Sequence, residues 1–204
     1  MKHLLLVAAA LATFNAQAAG VGVRIGTTGL GADVAFNVAP TFDARVGYSG
    51  GSVGYDADTS NASYKGDIKL SNLNAFIDWR PLITSAFRIT GGAIFNKNKY
   101  EATGTPSGGV GSFDAKVESG KSTAPYIGVG YGAVAGMGVN FYADLGVMFM
   151  GEPKATLTAN CSGISAAQCT SLNSQVTAEQ QRLQDKLDRF KAYPVLNIGV
   201  TIGF

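Results

Sequence analysis

The chain has 204 residues, with 16 basic and 14 acidic side chains, one histidine and a net charge of +2. So even a balance removes any electrostatic case for nucleic acid as a partner. Charge is sparse at 15% and glycine abundant at 27 residues, yet polar residues interrupt the apolar ones nearly everywhere, which argues against a bundle of membrane helices.

The amino-terminus reads as an export signal. Met1-Lys2-His3 leads into the apolar run 4–12 and then Ala16-Gln17-Ala18, a basic start, a stretch too short to span a bilayer, and small residues at a cleavage site. The signal is expected to occupy 1–18, leaving 19–204 as the mature domain outside the cytoplasm.

Eight later segments alternate apolar with small or polar residues, the period of a strand whose two faces see different surroundings. The first two, 20–28 and 31–39, turn Val21, Val23, Ile25, Ala32, Val34, Phe36 and Val38 to one side, with Gly29-Leu30 expected as a two-residue turn. Next come 43–49 with Val46 and Tyr48, 65–79 with Leu73, Ile77 and Trp79, and 87–97 with Phe87, Ile89 and Phe95. Segments 124–133 and 139–150 present Ile127, Val129, Tyr131, then Phe141, Leu145, Val147 and Phe149. The stretch 125–143 carries no charge, but Pro125 and its alternating glycines fit two strands and a turn better than a spanning helix. The last segment, 193–204, sets Leu196, Ile198, Val200, Ile202 and Phe204 against Asn197, Gly199, Thr201 and Gly203.

Only helices and closed barrels satisfy the backbone inside a bilayer, so the pattern predicts an all-β fold, an eight-stranded antiparallel transmembrane β-barrel. Connections alternate in length: 40–42, 81–85 and 136–138 are short, whereas 50–64, 98–123 and 151–194 are long. That is the asymmetry of periplasmic turns and extracellular loops, with both termini on the short-turn side. The tight first connection on the loop side is the exception.

The loops differ in kind. Residues 56–63 are small and polar, and 104–111 are glycine-rich. The last loop predicts an amphipathic helix over about 165–191, with Leu172, Val176, Leu183, Leu187 and Phe190 on one side. Ser165 with Gln168, or Thr177 with Gln180, has capping-box spacing, and Pro194 lies beyond the end. The helix is expected to pack on the barrel mouth or to hold a protein partner. Cys161 and Cys169 are the only cysteines; in an exported chain they are expected to pair as a disulfide, since a metal site lacks further ligands.

With the apolar faces turned to lipid, the interior receives Arg24, Asp33, Asn37, Arg45, Asn72, Asn74, Asp78, Arg88, Asn96, Asn140, Tyr142, Asp144, Asn197 and Thr201. Its six charged members are the candidate site: Arg24, Asp33, Arg45, Asp78, Arg88 and Asp144. Pairing Trp79 with Phe87 would set Asp78 opposite Arg88, and Arg24 lies diagonally near Asp33. Gly128, Gly130, Gly132 and Gly146 would make room for large neighbours such as Tyr142. Two roles fit the six charges: a salt-bridged plug in a barrel only wide enough for side chains, or the lining of a narrow selective route. Phe42, Tyr48, Trp79 and Phe87, with Tyr64 and Tyr100 at the other end, suit interfacial belts. Lys65, Lys69, Lys97 and Lys99 at the outer rim could meet lipopolysaccharide phosphates. An enzyme is not expected: the single histidine, His3, leaves with the signal, and no Ser-x-x-Lys replaces it. No cofactor is expected either.

Four stretches carry a family resemblance: Gly26-Thr-Thr-Gly-Leu-Gly-Ala-Asp33; Asp78-Trp-Arg-Pro81 with Phe87-Arg88; Ala124-Pro-Tyr-Ile-Gly-Val-Gly130; and Leu183 through Pro194. On these the chain resembles the small eight-stranded outer-membrane proteins of Gram-negative bacteria, the OmpA-like and OmpW-like barrels, and more closely a group of exported proteobacterial barrels. The resemblance implies an outer-membrane address among lipids and lipopolysaccharide, and no catalytic residue. The strand ending on Phe204 resembles the assembly signal read by the barrel-assembly machinery. Expected function is therefore a narrow or plugged barrel with a structural or surface-interaction role, the alternative being a porin-like channel for small solutes.

Overall fold

The computed structural model describes residues 18–58, 62–82, 85–106 and 111–204; the expected signal up to residue 17 and the centre of the glycine-rich stretch lie outside the described residues. The elements in chain order are β1 (Ala19–Gly26), β2 (Gly29–Ala39), β3 (Phe42–Asp58), β4 (Ala62–Trp79), β5 (Phe87–Asn96), β6 (Lys99–Pro106), β7 (Ser112–Glu118), β8 (Thr123–Gly132), β9 (Gly138–Met148), β10 (Lys154–Asn160), α1 (Ala166–Leu187) and β11 (Tyr193–Gly203).

Eight strands close an antiparallel barrel in the order β1, β2, β3, β4, β5, β8, β9, β11, with β11 returning to β1. The seam is knit to its end, where Ala19 and Phe204 exchange backbone hydrogen bonds of 3.1 and 3.0 Å. Alternation decides the faces as predicted. Val23, Ile25, Val46, Ile77, Val129, Leu145 and Ile198 point outward and are exposed, as are Trp79 and Phe141. A soluble protein rarely exposes so continuous an apolar surface, whereas a transmembrane barrel requires it. Phe42 and Trp79 stack across β3 and β4 at 6.4 Å, close to the short turns, as an aromatic belt would have them.

The first turn is corrected. Gly26 pairs with Gly29, so Thr27-Thr28 forms the turn and Gly29-Leu30 already belongs to β2. Gly29 follows the turn with φ +99°, a backbone state that suits glycine, and so it ends the turn instead of starting it.

The long connections are built structures, which corrects their reading as loops. β3 and β4 run as one ribbon far past the barrel rim, pairing from Phe42↔Trp79 to Asp58↔Ser63. β4 changes partner midway: 72–79 pair with β5, whereas 62–69 pair with β6. At the switch, Asn98 Oδ1 accepts from the Ser71 amide at 2.9 Å and the Lys97 amide donates to Ser71 O at 2.9 Å, so both backbone groups of Ser71 find partners at the fork. β6, β7 and β10 extend the sheet outward from this fork. β7 and β10 do alternate, Phe113, Ala115 and Val117 against Asp114, Lys116 and Glu118, and Ala155, Leu157 and Ala159 against Lys154, Thr156, Thr158 and Asn160, but each is only seven residues long and lies within a long connection.

α1 begins at the first of the two proposed caps. Ser165 Oγ accepts from the Gln168 amide and Gln168 Oε1 accepts from the Ser165 amide, the reciprocal capping box. Thr177 is mid-helix, where its hydroxyl bonds back to Asn173 O. The helix ends before 191 and packs on β10, burying Leu172 and Val176, while Leu187 at its end lines a cleft with Met150 and Tyr193 at the barrel mouth. Cys161 and Cys169 form a disulfide between the end of β10 and the first turn of α1.

Candidate functional site: the barrel interior

Strand parity fixes what fills the barrel, and register fixes the height of each side chain. Arg45 on β3, Asp78 on β4, Arg88 on β5 and Asp144 on β9 meet at mid-height, all essentially inaccessible. Arg45 is the hub. Its guanidinium contacts Asp144 at 2.7 Å and Asp78 at 3.2 Å, and lies between the rings of Phe76 and Tyr142 at 5.3 and 5.2 Å. Arg88 holds the other Asp144 oxygen and stands over Tyr142 at 5.3 Å, with Asp78 at 3.9 Å. Two cations between two carboxylates, each cation also on an aromatic face, make a neutral and mutually oriented group.

A second node adjoins the first. Arg24 pairs with Asp33 at 3.0 Å and hydrogen-bonds Asn74 and Ser49. Tyr142 donates its hydroxyl to Asp33 at 2.7 Å, so this one side chain joins both nodes. Nearer the short turns, Asp43 receives Asn37 at 2.9 Å and Arg80 at 3.2 Å. Asp43 is buried and is missing from the expected interior residues, although the parity of Arg45 already implies it.

The charged belt is enclosed above and below. On the loop side Phe76, Ile94, Ala124, Tyr126, Met148 and Val195 form an apolar layer, backed by Met150 and Tyr193. On the turn side Val134 and Ala135, from the β8–β9 turn, fold against Ala35 and Tyr142. At the mouth Tyr193 donates to Thr27 O at 2.9 Å and is hydrogen-bonded by Tyr100, which draws Tyr100 into the mouth instead of a lipid-facing belt. Burial there, with the neighbouring Tyr193, pushes the Tyr100 phenol above its ordinary pKa.

The six expected charges therefore come together as two adjoining nodes, with Asn72, Asn74, Asn96, Asn197 and Thr201 also buried and Asn37 and Asn140 half-buried at the turn end. The expected Asp78–Arg88 pairing is two residues out. Trp79 pairs with Ile89, so Asp78 faces Thr90, which hydrogen-bonds it, while Arg88 leans to Asp144. Of the rim lysines, Lys69 is paired with Glu101 and Lys99 with Glu118. The side chain of Tyr64 lies outside the described residues.

Glycines do make room, though for more than one partner. Gly128 and Gly146 receive the Tyr126 hydroxyl, Gly130 receives Arg88 and Asp144, and Gly199 receives the Tyr142 ring. Gly47 abuts the Asp33 carboxylate, so that a Cβ there would collide with Oδ1. Gly47→Ala is expected to push Asp33 off Arg24 and Tyr142 and to destabilise the barrel by about 1–3 kcal/mol, as overpacked sites do. Urea titration of the folded protein in lipid vesicles checks this, and an unchanged midpoint would refute the Asp33 contact.

Neither a protein-family model nor a curated protein matches the chain. Solved structures do. CarO of Acinetobacter baumannii aligns with TM-score 0.65 at 22% identity, covering 91% of this chain and 97% of that one. CarO2 of the same organism gives 0.65 at 21%, covering 92% and 98%. The fold is that of eight-stranded outer-membrane barrels. A major outer membrane protein of Thermus thermophilus is more distant, with TM-score 0.50 at 12% identity over 92% of this chain and 99% of that one. At these identities the likeness carries the fold and assigns no role to any interior residue.

Proposed function

We propose that this is an outer-membrane barrel sealed along its interior, whose working part is the sheet and helix held beyond the loop-side rim. The observation that supports a seal is the neutral belt of Arg45, Asp78, Arg88 and Asp144 enclosed between two apolar layers. A route for solutes needs charges that can exchange their partners for a passing ion, and these are already bound to one another. In this reading the six charged residues specify and hold the closed interior, and the role is not enzymatic. The apolar outer face supports residence among outer-membrane lipids, with lipopolysaccharide at the loop-side rim. Residues 1–18 would serve as the export signal and the strand ending on Phe204 as the signal to the assembly machinery.

A narrow solute channel is the competing reading. Its support is that Arg88 Nη1, Asn72 Oδ1 and Thr201 Oγ1 are buried without a hydrogen-bond partner, as groups along a wetted thread would be. Planar-bilayer recording of the signal-free, refolded protein separates the two. The sealed barrel is expected to stay electrically silent over a range of salt and voltage. Discrete ion-selective steps from a demonstrably folded sample would establish the channel.

A further inference from the structure

The outward sheet ends on β10, and its free edge is occupied by side chains of α1. Gln184 accepts from the Ala155 amide at 3.0 Å and donates to Pro153 O at 2.9 Å, as the amide of a neighbouring strand would. Gln180, one helical turn earlier, accepts from the Leu157 amide at 3.0 Å. Four helical residues rise about 6 Å and two strand residues about 6.8 Å, so consecutive turns meet alternate amides for two rungs. The third rung falls to Val176, which packs and offers no amide.

The strand behind this cover reads Lys154-Ala-Thr-Leu-Thr-Ala-Asn160, and its core Ala-Thr-Leu-Thr-Ala is the same in both directions. Since Ala155 and Leu157 aim their amides at the free edge, Ala159 does so by the same parity, and the centre of the palindrome is itself an edge-bonding residue. We propose that β10 is a self-pairing edge, fitted to the β10 of a second copy of this chain and kept closed by α1. Antiparallel pairing about a two-fold axis through Leu157 sets Leu157 opposite Leu157, Ala155 opposite Ala159 and Thr156 opposite Thr158. Lys154 meets Asn160, so no like charges face each other. The helix occupies the place of the partner strand, anchored by the Cys161–Cys169 disulfide and by two glutamines. An uncovered edge of this length is a ready template for another chain.

The proposal extends the surface-interaction reading but does not need a sealed lumen, so conductance and self-association fail separately. The test uses the full signal-free protein in detergent, with folding verified by heat-shifted gel mobility. Gln180→Ala with Gln184→Ala is expected to strengthen dimerisation, lowering the dimer dissociation constant at least tenfold, measured by sedimentation. Leu157→Cys added to that background is expected to yield an oxidised dimer through residue 157. Leu157→Pro, which removes the central amide, is expected to return the double variant to monomer. A folded double variant that stays monomeric at every concentration overturns the proposal. So does a dimer that survives Leu157→Pro.

Discussion

Replacing Arg45 by alanine is expected to destabilise the barrel by about 3–5 kcal/mol, the range for removing one partner of a buried ion pair. The change leaves Asp144 with Arg88 alone and Asp78 with Thr90 and a more distant Arg88, in a site without access to solvent. It also empties the space between the Phe76 and Tyr142 rings. The loss is chiefly that of a stranded carboxylate, so adding Asp78→Asn to Arg45→Ala, which leaves Arg88 paired with Asp144, is expected to recover more than half of it. Trp79, the only tryptophan, sits on the outer face near the short turns and reports the transition in urea. A loss below about 1 kcal/mol, typical of solvent-exposed pairs, would mean that the belt is wet.

The second large effect belongs to Tyr142. Its ring underlies both central arginines, its hydroxyl donates to Asp33, and its body packs on Ala35, Val134 and Ala135. Tyr142→Ala is expected to cost about 3–5 kcal/mol, as buried aromatic truncations do. Tyr142→Phe keeps the ring and removes one hydrogen bond to a charged acceptor, for about 1.5–3 kcal/mol. The test of geometry is a cycle with Gly199→Ala, whose added Cβ would run into the same ring. Gly199→Ala is expected to destabilise the native barrel and to be nearly neutral beside Tyr142→Ala, since the obstructing ring has gone. Equal effects in both backgrounds would refute the contact.

The barrel is legible in the sequence because bilayer physics forces each strand to alternate, so Val23 and Arg24, or Ile77 and Asp78, declare opposite faces from order alone. What parity cannot state is stagger. Matching Asp78 to Arg88 assumes a tight turn, and the ladder shifts the partner to Thr90. Sorting interior residues by polarity has a further consequence. Phe76, Ile94, Tyr126, Met148 and Val195 share the inward parity of their polar neighbours, yet such sorting foresees no apolar layer around the charges. Val134 and Ala135 lie in a turn, where no periodicity announces that they fold inward. Beyond the rim, β7 and β10 alternate as well, but each is only seven residues long and lies within a connection that reads as a loop.

The β3–β4 ribbon holds 17 residues on its shorter strand without a break in register, a length on the order of 55 Å. The apolar band of a barrel is only about 25 Å tall, so much of this ribbon stands clear of the lipid. One arm of the ribbon is thus both wall and mast. Among the described residues β3 and β4 run from barrel to surface sheet without an intervening linker, so the lean of that sheet relative to the membrane plane is set by the tilt of two barrel staves. Whatever docks there must approach along a bearing dictated by the barrel, and a change in stave tilt would swing the whole platform as a rigid vane.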